Sequence, residues 1–229
     1  MRSVLAVAPL LVTGWFSVPG ASAAPACPPG GTPPPAGAAQ RQVGDLDGAG
    51  PATLWVGQIR DGPPHQGRTN RLVGVTTAGG ANSEVQVLSA SPMPLTALAV
   101  DAQNDGGNQI IVSDGRGAHL YVFAECRVQT VLDGQGAPFL FDLQNLRDRG
   151  TGVGCSDLGD GRRLVGLQAL PDDGQWTVHR TEIDLDGTLA TIGQSDTVTA
   201  ISAQDPAVTS AETISCGDLT ISKDGVQQP

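Results

Sequence analysis

The chain has 229 residues, with 13 Lys plus Arg against 23 Asp plus Glu and a formal charge of −10. An acidic chain with no basic run lacks the phosphate contacts that nucleic acids require, and the same charge disfavours anionic membranes, so cations and basic partners remain. Gly and Pro supply 31 and 17 residues and aromatics only 3 %, which favours short strands and tight turns, an all-β fold in one sizeable domain.

The N-terminus reads as a signal peptide spanning residues 1–23. Met1-Arg2 is a short charged region, Val4 to Val12 with Trp15 and Phe16 form an apolar stretch, and Pro19-Gly20 precedes the small triplet Ala21-Ser22-Ala23. A membrane span needs about 20 consecutive apolar residues, and this run is shorter and broken by Pro9. We therefore expect cleavage after Ala23, no transmembrane anchor, and a product that is secreted or held at the cell envelope. Residues 24–41, including Cys27-Pro28-Pro29-Gly30-Gly31 and Pro33-Pro34-Pro35, read as an extended Pro/Gly/Ala linker with Cys27 as its point of attachment, and the folded domain spans 42–229. Lipidation at Cys27 is disfavoured because Ala24-Pro25-Ala26 lacks the Leu or Val expected three positions ahead of the cysteine. It would also leave an odd thiol among Cys27, Cys126, Cys155 and Cys216. Two disulfides are expected, with the three possible pairings open.

From Val43 onward an irregular repeat is visible. Val43-Gly44-Asp45 leads through Leu46-Asp47-Gly48-Ala49-Gly50 into Leu54-Trp55-Val56, and Ala99-Val100-Asp101 leads through Asn104-Asp105-Gly106-Gly107 into Ile110-Ile111-Val112. Gly154-Cys155-Ser156-Asp157, with Asp160-Gly161 and Leu164-Val165, is a third copy, and Ser215-Cys216-Gly217-Asp218 a partial fourth. The marker aspartates recur at intervals of 56, 56 and 61 residues, a period that suggests repeated sheets. Between them run strand-like segments: Arg71 to Val75, Glu84 to Leu88, His119 to Phe123, Arg127 to Leu132 and Trp176 to Ile183. Asp186-Gly187 then turns the chain into Leu189 to Ile192. Phe141 to Leu146 is the one short helical candidate.

The segment Val43-Gly44-Asp45-Leu46-Asp47-Gly48-Ala49-Gly50 followed by Leu54-Trp55-Val56 resembles the opening of an FG-GAP or VCBS repeat, the unit of integrin-α-like β-propellers. The wider Ala, Gly, Asp and Val usage resembles that of exported actinobacterial proteins. The likeness covers about three repeats between Val43 and Asp218. It departs from the family in lacking the Phe-Gly and Gly-Ala-Pro portions and in having fewer repeats than a closed propeller. It implies a small or incomplete β-propeller-like array of antiparallel sheets, with acidic loops prone to bind calcium.

Those loops hold the candidate metal ligands: Asp45 and Asp47 in the first, Asp101, Asn104 and Asp105 in the second, Asp157 and Asp160 in the third. Calcium takes six to eight oxygen ligands, whereas Ala49 stands where a further oxygen is needed and no loop offers a complete set. Asp and Asn beside Gly equally well close turns by bonding their own backbone, the reading we favour over Ca2+. No nucleophile elbow, Walker loop or zinc motif occurs, and Gly115-Arg116-Gly117 reads as a turn. His119 and His179 fall in strand segments as sheet residues, and Trp55 and Trp176 read as packing residues. The expected function is a non-enzymatic binding module whose loops engage a protein or small-molecule ligand outside the cell. The alternatives are an exported hydrolase or lyase using these carboxylates, or a structural envelope protein.

Overall fold

The computed structural model describes residues 26–61, 68–143 and 150–229. The signal segment with its cleavage point, His65, and residues 144–146 of the expected helix lie outside the described residues.

Three antiparallel meanders follow one another along the chain, and none closes on itself. The first is β1 (Ala39–Asp45), β2 (Pro51–Asp61), β3 (Arg68–Thr76) and β4 (Asn82–Gln86), in that spatial order. The second is β5 (Thr96–Val100), β6 (Asn108–Ser113), β7 (Gly117–Ala124) and β8 (Arg127–Thr130), with β9 (Leu140–Asp142) also paired to β7. The third is β10 (Gly150–Asp157), β11 (Arg162–Asp172), β12 (Gln175–Asp186) and β13 (Leu189–Ala200). The chain ends with α1 (Pro206–Ser210), a small hairpin of β14 (Ser215–Cys216) and β15 (Leu219–Thr220), α2 (Ile221–Asp224) and β16 (Val226–Gln227). That last strand returns to pair with β5.

Period-two alternation explains how these sheets pack. In β2, Leu54 and Val56 join Val73 and Val75 against Ala97, Ile110, Val112, Tyr121 and Phe123 of the second sheet. The opposite face of the second sheet, with Leu98, Val100, Ile111, Leu120 and Val122, meets Val153, Leu164 and Ile183 of the third. The middle sheet is thus buried on both faces, and β6 reads as the continuous apolar run that such burial requires. The far face of the third sheet packs Val165, Leu167, Val178 and Ala200 against Val208 and Ala211 of the α1 region. Asp205 caps α1 by accepting from Ala207 N at 2.9 Å.

The outward face of the first sheet carries Trp55, which is fully buried and lies over Gly74. Beside it, Pro35 and Ala38 cover Gly57. Residues 26–38, expected as an extended linker pinned through Cys27, are pinned there and also packed against the first sheet. Cys27 is buried and bonded to Cys126, Gly30 pairs with Ala81, and β1 starts at Ala39, ahead of Gln42. The second disulfide joins Cys155 of β10 to Cys216 of β14.

Two expectations are corrected. Phe141 and Asp142 are strand, not helix: pairing with β7 and the burial of Phe141 in the second core cluster, edge-on to Phe139, outweigh helical spacing. The partial fourth repeat forms a two-residue hairpin turned at Gly217-Asp218 and has no meander of its own. Asp186-Gly187 turns β12 into β13 as expected, Gly187 taking φ 59°. Among the described residues no helix is long and apolar enough to cross a membrane.

Candidate functional site

Each marker aspartate sits where the first strand of its sheet turns into the second. In the β1–β2 loop Asp45 Oδ1 accepts from Asp47 N at 3.1 Å and Gly48 N at 2.7 Å. Asp47 is buried, its Oδ1 accepting from Ala49 N at 3.2 Å and its Oδ2 from Cys27 N at 3.1 Å. In the β5–β6 loop Asp101 accepts from Asp105 N at 3.2 Å and Gly106 N at 3.0 Å, and Asp105 accepts from Gly107 N at 2.7 Å. In the β10–β11 loop Asp157 Oδ1 accepts from Gly159 N at 2.7 Å and Gly161 N at 3.1 Å. These aspartates close their own turns, the chemistry that Asp beside Gly supplies without a cation. Among the described residues no three His, Cys, Asp or Glu side chains gather as a metal site.

Two side chains outside the repeat pattern bring the loops together. Asn108 Nδ2 donates to Leu46 O at 3.4 Å, linking the second loop to the first. Arg162 Nη1 donates to Asn104 Oδ1 at 2.9 Å and Nη2 to Asp101 O at 3.0 Å, linking the third to the second; Nη2 also reaches Cys216 Sγ. Asn104 is left-handed at φ 55°, a conformation Asn tolerates, and this presents its amide oxygen to the guanidinium. No linear motif marks Arg162 or Asn108, because their partners lie on other sheets. Asp45, Asp105, Asp157 and Asp160 are exposed along this rim, and Gln194 Nε2 lies 3.4 Å from Asp160 Oδ2.

A polar cluster occupies the other end of the second sheet. Asp114 accepts from the Ser89 hydroxyl, Gly117 N at 2.8 Å and Arg116 N at 2.9 Å, and His119 Nε2 lies 3.5 Å away. Burial pushes the Asp114 carboxyl up, but the hydrogen bonds from Ser89, Gly117 and Arg116, with the His119 imidazole close by, together hold it below its ordinary value. Arg71 donates to the carbonyls of Ser91 and Met93, and burial lowers its guanidinium against the opposing charge of Asp114. His119, Tyr121, Gln86, Leu88 and Leu140 line a cavity of about 220 Å³ here, and burial pushes the Tyr121 phenol up to about 12. Ser89 is bonded to the carboxylate instead of the imidazole, so these three residues lack the hydroxyl-to-imidazole contact of a nucleophilic triad.

His179 is exposed on β12. Trp55 is sealed in the fold and Trp176 is half-buried against the third core cluster, so both pack as expected. Comparisons of the chain with protein-family models, with curated proteins and with solved structures give no match.

Proposed function

We propose that this chain is an exported, non-enzymatic binding module, assembled from blade-like units of an incomplete FG-GAP or VCBS-type β-propeller, that presents an acidic rim to a cationic partner outside the cell. The observation that carries the reading is the lateral alignment of three Asp-led loops, tied through Asn108 and Arg162, with four of their carboxylates exposed. Loops held on a rigid sheet scaffold are the usual place for recognition residues. Two disulfides fit an oxidising compartment. Calcium at this rim would have to compete with the turn amides that Asp45, Asp101 and Asp157 already accept from.

The test uses a fluorescein-labelled oligoarginine peptide as probe, titrated with the secreted protein at two salt concentrations with and without calcium. Binding should weaken with salt, and Asp45→Asn, Asp105→Asn, Asp157→Asn and Asp160→Asn combined should weaken it by roughly tenfold or more, Asn retaining the turn-closing oxygen. Unchanged affinity in the combined variant, or turnover of substrate by the purified protein, would overturn the reading. The N-terminal residue of the exported product should be Ala24.

A further inference from the structure

The chain contains a single lysine, Lys223. The fold places it in α2, beside a cavity of about 450 Å³ that Arg41 of β1 also lines. Thr96 of β5, Ser113 of β6, Ser222 and Gln227 complete most of the polar wall. Segments nearly a whole chain apart therefore bring two cations and three hydroxyls to one recess. Thr96 and Ser113 lie at the opposite end of β5 and β6 from the acidic loop, so this recess is separate from the acidic rim.

Most other arginines with described contacts are already engaged. Arg71 holds the Ser91 and Met93 carbonyls, Arg162 ties the acidic loops, and Arg163 and Arg180 pair with Glu182 and Asp196. Lys223 forms no ion pair among the described residues, and Arg41 has one loose, half-exposed pair with Asp224 at 3.5 Å. Asp224 is turned in part to its own chain, where its Oδ2 accepts from Thr220 N at 3.0 Å. The Ser113 oxygen accepts from Gly115 N at 3.1 Å, which leaves its proton to donate elsewhere.

The geometry points to this recess as a binding site for a small soluble molecule carrying a tetrahedral oxyanion, a phosphate or sulfate group. Arg41 supplies a planar fork suited to two oxygens, Lys223 a compact charge, and Thr96, Ser113 and Ser222 on the wall carry hydroxyls able to donate to the remaining oxygens, that of Ser222 also lying 3.5 Å from Thr220 Oγ1. In a chain of net charge −10, two cations facing one polar cavity form a local reversal of sign.

The single lysine makes the test selective. Reductive ¹³C-methylation keeps the charge and gives one lysine resonance, apart from the N-terminal amine. Inorganic phosphate or sulfate should shift it saturably, chloride at matched ionic strength should not, and Arg41→Gln should weaken the response roughly tenfold or more. Calorimetric phosphate titration of the unmethylated protein should show the same loss in Lys223→Gln, with unfolding curves confirming that each variant is folded. A non-saturating shift, an equal response to chloride, or full binding by both variants overturns the site. Co-sedimentation with phosphatidylglycerol vesicles without any shift in phosphate would overturn a soluble ligand in favour of a lipid headgroup.

Discussion

Gly74→Ala tests how the first sheet is assembled. The register sets Gly74 opposite Trp55, and a Cβ placed there would lie 2.2 Å from Trp55 Cζ2, 2.5 Å from Cε2 and 2.7 Å from the Ser83 carbonyl oxygen. Inserting a methyl into a packed site costs about 1–3 kcal/mol, offset by the roughly 0.5–1 kcal/mol that Ala gains over Gly within a strand. A net loss of about 1–2 kcal/mol corresponds to a fall in Tm of roughly 2–8 °C for a domain of this size. Trp55→Leu alone should cost about 2–4 kcal/mol through the cavity it leaves, reduced because the indole Nε1 is buried without a partner among the described residues. With Leu at 55 the clash with the indole is gone and only the Ser83 carbonyl contact remains, so the double variant should be more stable than the two single losses predict by about 1 kcal/mol or more. The assay is urea unfolding of the oxidised protein followed by far-UV circular dichroism, which does not depend on the deleted tryptophan. Additivity within about 0.5 kcal/mol, or a Gly74→Ala protein as stable as wild type, would refute the placement of Trp55 over Gly74.

Removing either disulfide should be severe, because the bridges close loops with sequence separations of 99 and 61 residues. On loop entropy, Cys27→Ala/Cys126→Ala should lose about 5 kcal/mol and Cys155→Ala/Cys216→Ala about 4 kcal/mol, measured by urea unfolding. Because the Asp114 carboxyl is held below its ordinary value of 3.8, its contribution is present above that value and fades as pH falls through the lower folded one. Asp114→Asn should accordingly be less stable at neutral pH but show a shallower acid decline, read from unfolding midpoints between about pH 2 and pH 6. Arg162→Met should cost about 1–3 kcal/mol and raise amide exchange in the β5–β6 loop, since it removes charged bonds to Asn104 and the Asp101 carbonyl.

Much of the second and third sheets was legible in the sequence because alternation and turn chemistry are local. His119 to Phe123, Trp176 to Ile183 and the Asp186-Gly187 turn all lie in or between the strands expected of them. Asp45, Asp101 and Asp157 close equivalent turns, and their spacing from Gly was readable as Asx chemistry. The failures involve long-range competition. Phe141 and Asp142 carry a helical spacing, but pairing with β7 decides their state. The Pro-rich stretch cannot fold alone, yet a bridge to Cys126 and contacts with Gly57 fix it to a sheet built from later residues. The same limit hid Arg162, Asn108 and the Arg41–Lys223 recess, where the meaning of each residue depends on a partner from another strand or the C-terminal segment.

Three stacked meanders without closure leave two end sheets, each with a face that would otherwise meet solvent, and the chain treats those faces differently. At the third sheet a five-residue helix capped by Asp205 seals Val165, Leu167 and Val178 with Val208. At the first sheet the outward positions of β2 and β3 include Trp55, Gly57, Leu72 and Gly74, and no helix covers them among the described residues. Proline supplies apolar surface at low conformational cost instead, and the Cys27–Cys126 bridge holds the strap in place. Terminal caps of this kind let an array of similar units end without a further neighbour. Aromatics are few, and on this face one buried indole over Gly74, next to the Gly57 that Pro35 covers, supplies much of the apolar area.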